Sequence, residues 1–162
     1  MNENSHDVVV TGIVVKDGKY LITRRALTKK NFPGKWTVPG GNLELRDYLN
    51  KEKDIGVYWY NVLEEVLKRE IKEEVGLEIK NIGYVTSMTF LKPDNSPTLI
   101  ISLFAEHSNG EVILDNESID YKWISLEEAK NYDLLDGIYE ELVMFDKLLK
   151  GNKIDGWKKD LK

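Results

Sequence analysis

The stretch that decides the fold is Asn61-Val62-Leu63-Glu64-Glu65-Val66-Leu67-Lys68-Arg69-Glu70-Ile71-Lys72-Glu73-Glu74-Val75-Gly76-Leu77. Asn61 followed three residues later by Glu64 is a capping-box pattern, and Gly76 stands where a left-handed C-terminal cap belongs. Apolar residues recur at helical spacing between them, which predicts a helix of about 14 residues. At about 100° per residue, Val62, Leu63, Val66, Leu67, Ile71 and Val75 form one broad arc, and Glu65, Lys68 and Lys72 lie opposite. Such a helix packs on a sheet. Glu70, Glu73 and Glu74, spaced i, i+3, i+4, fall inside the apolar arc and not on its polar side.

That placement is unfavourable for folding alone. Carboxylates about 5 Å apart repel by roughly 3 kcal/mol per pair at an effective dielectric near 20. Partial burial adds several kcal/mol per ion. Glu73 and Glu74 also meet the negative end of the helix dipole, at about 0.3 to 1 kcal/mol each. Arg69, one i+4 step before Glu73, can pair with it, but one arginine does not neutralise three carboxylates. Protonation of part of the group is one remedy. A hard divalent cation with oxygen ligands, as magnesium prefers, is another. An acidic helix end in solvent is the plain alternative, and three acids inside an apolar arc favour the cation.

Outward from this helix, residues 8–15 are rich in β-branched side chains, Lys16-Asp17-Gly18-Lys19 supplies an Asp-Gly turn, and residues 20–24 resume a strand, together a hairpin. A loop over 28–35 leads to Trp36-Thr37-Val38 and then Pro39-Gly40-Gly41, where a sharp turn is expected. Residues 42–54 read as loop. Strands are expected over 77–91 and 98–105 around a Lys92-Pro93-Asp94-Asn95 turn, and Asn109-Gly110 suggests a further hairpin into 111–114. A short strand over 121–124 precedes a short helix opened by Ser125-x-x-Glu128, and an amphipathic helix is expected over 138–149, ending at Gly151. Strands grouped around helices imply a layered α/β or α+β domain.

The 162 residues suit one domain. We divide them into an N-terminal segment, 1–7, a body, 8–150, and a Lys-rich tail, 151–162, that is expected to fray. With 23 basic against 28 acidic residues the net charge is −5, so attraction to nucleic acid is not expected. No stretch supports a signal peptide or membrane span, and a cytoplasmic protein is expected. The absence of cysteine excludes disulfides, thiolate metal sites and thiol nucleophiles. Carboxylate oxygens remain as metal ligands, with magnesium or manganese as the ion.

Arg69-Glu70-Ile71-Lys72-Glu73-Glu74-Val75-Gly76-Leu77 resembles the core of the Nudix box, G-x5-E-x7-R-E-U-x-E-E-x-G-U with U aliphatic. Its five fixed and two aliphatic positions would coincide by chance at roughly one start in ten million. Trp36-Thr37-Val38-Pro39-Gly40-Gly41-Asn42-Leu43-Glu44 is similar to the family's approach to the box, and the region from Tyr121 to Ala129 resembles the strand and helix beyond the catalytic loop in many members. The resemblance covers residues 8–149. It implies a Nudix-like α/β/α sandwich with a mixed β-sheet, and hydrolysis of a nucleoside diphosphate linked to another moiety. It also implies magnesium or manganese held by Glu70, Glu73, Glu74 and the Gly40 carbonyl, with Arg69 orienting the carboxylates. A further Glu from a later loop is frequently a ligand or general base in this family, and Glu117 is the candidate.

The box is interrupted: 28 residue steps separate Gly41 from Arg69, about 14 more than the pattern allows. Six residues after Gly41 stands Asp47 and eight before Arg69 stands Asn61, so neither alignment supplies the expected Glu. Asn61 reads as a helix cap and stays outside the metal set. The inserted segment, 45–60, ends in Gly56-Val57-Tyr58-Trp59-Tyr60, where Trp59 is a candidate to stack on a base or cover the cleft; docking of Trp59 and Tyr60 at the helix start is the alternative. Arg24 or Arg25, at the end of the second strand, is a candidate phosphate contact. The expected substrate is a small nucleotide, first a nucleoside triphosphate, with ADP-ribose, nucleotide sugars and dinucleoside polyphosphates as alternatives. A nucleotide- or partner-binding module without hydrolysis is the rival function. Homodimers are common in the family, and nothing in the sequence decides the point.

Overall fold

The computed structural model describes residues 3–159; Met1, Asn2 and residues 160–162, within the expected N-terminal segment and tail, lie outside them. The first hairpin joins β1 (Asp7–Lys16) to β2 (Lys19–Arg25), and Asp17 and Gly18 both take the positive φ that a two-residue turn demands. Then come β3 (Trp36–Thr37), β4 (Gly40–Asn42), helix α1 (Val62–Val75), β5 (Glu78–Leu91), β6 (Pro97–Asn109), β7 (Ser118–Ile124) and helix α2 (Ile138–Leu149). One mixed sheet runs β3-β2-β1-β6-β5, with β4 on β1 and β7 on β2. The β1–β6 pair is parallel, Val10 beside Ile101 and Thr11 beside Ser102, and the other pairings are antiparallel.

The period of two along each strand feeds two cores. Val10, Val14, Leu21, Leu103 and Ala105 pack under Val66, Leu67, Ile71 and Val75 of α1. On the other face Ile13, Tyr20, Ile22 and Val85 pack under Ile138, Leu142 and Phe145 of α2. The sheet is thus sandwiched between two helices. Within the tail, Ile154 packs against the α2 core.

Four local expectations change. Pro39-Gly40-Gly41 is not a sharp turn: neither glycine has a positive φ, and the chain runs on as β4 beside β1. Residues 42–54 are not all loop, since a 3₁₀ turn, Leu45–Asp47, forms within them. Asn61 does precede α1, but in the left-handed conformation and without a side-chain cap bond. Residues 111–114 form no hairpin strand. They run past the end of α1, where the Ile113 and Asp115 N–H groups donate to the carbonyls of Val75 and Glu74, both at 3.0 Å, satisfying acceptors that a helix C-terminus otherwise leaves free.

Candidate active site

The site begins with how closely α1 approaches β4. A Cβ on Gly40 would stand 2.3 Å from the Val10 carbonyl oxygen, and one on Gly41 would stand 2.3 Å from the Glu70 carboxyl carbon. Backbone therefore excludes a side chain at Gly40, one at Gly41 would displace the Glu70 carboxylate, and the acids of α1 reach the strand. The Gly40 N–H donates to Glu74 Oε2 at 3.1 Å.

Arg69 holds the other side of the site, with all five guanidinium N–H groups engaged. Nε donates to Asp47 Oδ1 at 2.5 Å and Nη2 to Asp47 Oδ2 at 3.1 Å, a forked pair. Nη1 donates to Glu70 Oε1 at 2.7 Å and Glu73 Oε2 at 3.1 Å, and Nη2 also reaches the Asn42 carbonyl at 3.0 Å. Asp47 is fixed in turn by the Glu44 N–H, at 2.7 Å. It occupies the place six residues after Gly41 that the box gives to Glu, so the missing box carboxylate is present as aspartate. Twenty-one residues separate it from Arg69 where the box has seven. The extra chain therefore falls within 48–61 and begins after Asp47, not at Leu45.

Burial and charge set the ionisation of these groups. Burial pushes Asp47 up, but the Arg69 and Glu44 hydrogen bonds and the Arg69 and Arg46 charges hold it below the usual carboxylate range. Burial raises Glu70, and the Glu73 and Glu44 charges add to it, while Arg69 pulls the other way. Glu74 is pushed up to about 8, first by burial and then by Glu70, Asp115 and Glu117, against the opposing Gly40 N–H. Two of the three α1 acids are thus costly to ionise as they stand. Glu73 differs from the expectation: its side chain is 46% exposed at the rim and is not on the packed side.

Glu70, Glu73, Glu74 and Glu117 line one open cleft together with Gly40, Asp115, Arg25 and Lys29. The loop before β7 brings Glu117 there, with Lys29 Nζ 3.0 Å from its Oε1. Arg25 lines the cleft while its Nε and Nη2 donate to the Asn31 carbonyl. Arg24 does not line it; it is exposed and donates to the Gly34 carbonyl at 3.1 Å. Trp59 is likewise elsewhere. Its indole N–H donates to the Lys51 carbonyl at 2.9 Å, its ring lies 5.3 Å from that of Tyr48, and Lys53 Nζ stands over it. It folds the insertion onto itself. Sequence reasoning missed Lys29 and Asp115, whose loops carry no periodic signal, and set Asp47 aside although the spacing from Gly41 pointed to it.

The cleft's donor set is oxygen-only and anionic, which suits a hard divalent cation, and a cation would offset the charge that raises Glu70 and Glu74. Among the described residues no three acidic or histidine side chains already converge as a cation cage. Arg69 Nη1 bridges Glu70 and Glu73, while the Gly40 N–H holds Glu74.

A second space adjoins the cleft. Between the sheet and the start of α2 lies a cavity of about 230 Å³, walled by Val38, Met88, Phe90, Ile100 and Ile138, that shares Arg25, Lys29, Gly40, Glu74 and Glu117 with the cleft.

The family model for the NUDIX domain matches residues 6–143. Nucleoside triphosphatase NudI of Klebsiella pneumoniae is 27% identical over 137 residues, 78% of this chain and 86% of its own. NudI of Escherichia coli K12 is 28% identical with the same coverage. The solution structure of the E. coli ORF135 protein superposes with a TM-score of 0.68 at 24% identity, covering 96% of this chain and 99% of that one. The NUDIX domain of Shewanella oneidensis NrtR, complexed with ADP ribose, gives 0.68 at 18% identity, covering 90% of each. These two likenesses establish the fold, and the family match over most of the chain establishes descent: the protein is a member of the Nudix hydrolase family.

Proposed function

We propose that the protein is a pyrophosphohydrolase that cleaves the diphosphate linkage of a nucleoside triphosphate, using magnesium or manganese. The observation that carries this reading is the continuity of the cavity with the acid cleft. At about 230 Å³ the cavity is smaller than the roughly 300–1,000 Å³ of drug-sized sites, so it takes one base-sized group while sugar and phosphates extend past Arg25 and Lys29 to the carboxylates. The activity for which the NudI relatives are named, nucleoside triphosphatase, agrees with it.

Glu70, Glu73, Glu74, Glu117 and the Gly40 carbonyl would hold the cation. Bound there, it supplies charge neutralisation at phosphorus and a water of lowered pKa. Arg69 positions Glu70 and Glu73 through its direct bonds to both. Glu117 or Glu73, each half-exposed beside the cleft, accepts the proton of the attacking water. Arg25 and Lys29 bind phosphate oxygens, the first by its planar fork and the second as a point charge. Nucleoside triphosphates are a cytoplasmic pool, and we place the protein there.

The test is turnover with magnesium over a panel of nucleoside triphosphates, ADP-ribose, nucleotide sugars and dinucleoside polyphosphates, reading phosphate and pyrophosphate separately. Triphosphates are expected to release pyrophosphate, chelation of the metal to stop it, and Glu74→Gln to lower kcat by about 10²-fold or more. Turnover confined to another class would replace the substrate. Nucleotide binding without turnover of any kind would make the protein a binding module.

A further inference from the structure

Exposed apolar side chains concentrate in the segment that interrupts the box. Leu45, Leu49, Ile55, Val57, Tyr58 and Tyr60 are each between 56% and 65% exposed. Single exposed apolar residues are ordinary, but a cluster of them marks a contact surface, and tyrosine is among the residues enriched in such surfaces. The cluster is built on a turn. The Asp54 N–H donates to the Tyr58 carbonyl at 3.0 Å and the Tyr58 N–H to the Ile55 carbonyl at 2.9 Å, closing a small hairpin over Ile55-Gly56-Val57-Tyr58 in which Gly56 takes the positive φ. Asn, Asp and Gly serve such a turn, so reversing the chain does not call for Ile, Val and Tyr at its tip. None of these three belongs to either core.

Charge narrows what covers the tip. Identical chains of net charge −5 repel one another. Residues 48–61 carry two positive and two negative charges, so here two copies can meet without that repulsion. The four charges stand together as Lys51-Glu52-Lys53-Asp54, all exposed. A two-fold interface sets one patch against itself. Laid antiparallel on its own copy about an axis between Glu52 and Lys53, this stretch sets Lys51 against the second copy's Asp54 and Glu52 against the second copy's Lys53. Opposite charges meet at every position. Within one chain the lysines are loosely engaged: Lys51 Nζ is 3.9 Å from Glu65, and Lys53 Nζ is 5.4 Å from the centre of the Trp59 ring.

We propose that the inserted segment is a homodimer interface, in which Lys51-Glu52-Lys53-Asp54 pairs antiparallel with its copy and the apolar hairpin tips pack beside it. The patch is shorter than the roughly 20–30 residues a side of a standard interface, so association with a Kd of roughly 10–100 μM is expected. The proposal is independent of what the cleft hydrolyses.

The experiment is sedimentation equilibrium of the full chain from about 1 μM to about 500 μM, a range that brackets the expected Kd. Lys53→Glu sets like charges against each other on both sides of the axis, and Val57→Asp puts a charge at the tip; each is expected to weaken the dimer by about tenfold or more. Glu52→Lys combined with Lys53→Glu restores opposite charges across the axis and is expected to return the Kd to within about threefold of wild type. That double variant also lacks Lys53 over Trp59, so its recovery reports pairing between copies and not the ring contact. The substituted side chains are exposed, and urea unfolding at a concentration where the wild type is monomeric checks that each variant folds. A wild type that stays monomeric throughout would leave the patch to another partner and overturn the proposal. A dimer indifferent to Val57→Asp, or a double variant no better than Lys53→Glu alone, would overturn it as well.

Discussion

Helices α1 and α2 each bury a glutamate against opposite faces of one sheet, and they treat it in opposite ways. Glu70 on α1 is tied to Arg69, which is tied to Asp47, which is tied to the Glu44 N–H. Glu141 on α2 meets no cation and keeps an oxygen unpaired. The first arrangement is a closed frame in which the donors are counted and used; the second leaves an acceptor free. A held carboxylate positions its neighbours, whereas an open one carries its burial cost unrelieved.

Cutting the frame at its centre should show the largest effect. Arg69→Met removes the charge and leaves Asp47, with a side chain 3% exposed, and Glu70, at 11%, as buried acids without their cation. Breaking a buried pair from one side costs about 3–5 kcal/mol, a large part of the total stability of such a domain. The urea midpoint should fall accordingly with the slope unchanged. A loss below about 1 kcal/mol would mean that the frame does not support the fold.

The open acid gives the next effect, and its sign is opposite. Burial first, with the Glu140 charge adding and the Ser102 hydroxyl opposing, pushes Glu141 up from 4.5 to about 7. Because the folded value lies above the unfolded one, the unfolded chain releases this proton first as pH rises. No penalty exists below about pH 4.5; it grows through the window and is complete above about pH 7. One pKa unit is worth about 1.4 kcal/mol, so the full loss is roughly 3 kcal/mol. Glu74 contributes a loss of the same sign up to about pH 8, but it is common to wild type and variant. The stability difference between Glu141→Gln and wild type should therefore rise by roughly 3 kcal/mol between pH 4 and pH 9, read from urea unfolding at each pH. A flat difference would show that Glu141 is not strained in the folded state.

The same contrast explains what the sequence disclosed. The α1 acids were legible because three of them repeat at helical spacing inside an apolar arc, a pattern that needs no tertiary knowledge. Glu141 was illegible because acids in the first turn of a helix, here Glu140 and Glu141, are what the helix dipole ordinarily favours; only tertiary packing, with Ser102 of β6 beside it, makes it buried. The layered class was legible from strands grouped around helices, and the α/β/α sandwich only through the resemblance to the Nudix box. By contrast, Gly40 and Gly41 read as a turn because their close neighbours, the β1 backbone at Gly40 and the Glu70 carboxylate at Gly41, come from elements far off in sequence. Asp47 was at the right distance from Gly41 and the wrong distance from Arg69, and only the folded chain decides between those two counts.

That decision places the extra chain, residues 48–61, outside the frame that it interrupts. Trp59 spends its N–H on Lys51 and its ring on Tyr48 and Lys53, all within the insertion, while Asp47 and Arg69 meet beneath it. Tyr58 and Tyr60 are mostly exposed, so little apolar area would be released if the segment loosened. Trp59→Ala should then lower stability by about 1 kcal/mol, the worth of one aromatic pair and one partly exposed hydrogen bond, and leave kcat/KM within about twofold. A tenfold fall in kcat/KM at unchanged stability would instead bring the insertion over the cleft during turnover, and would extend the site beyond the frame that Arg69 closes.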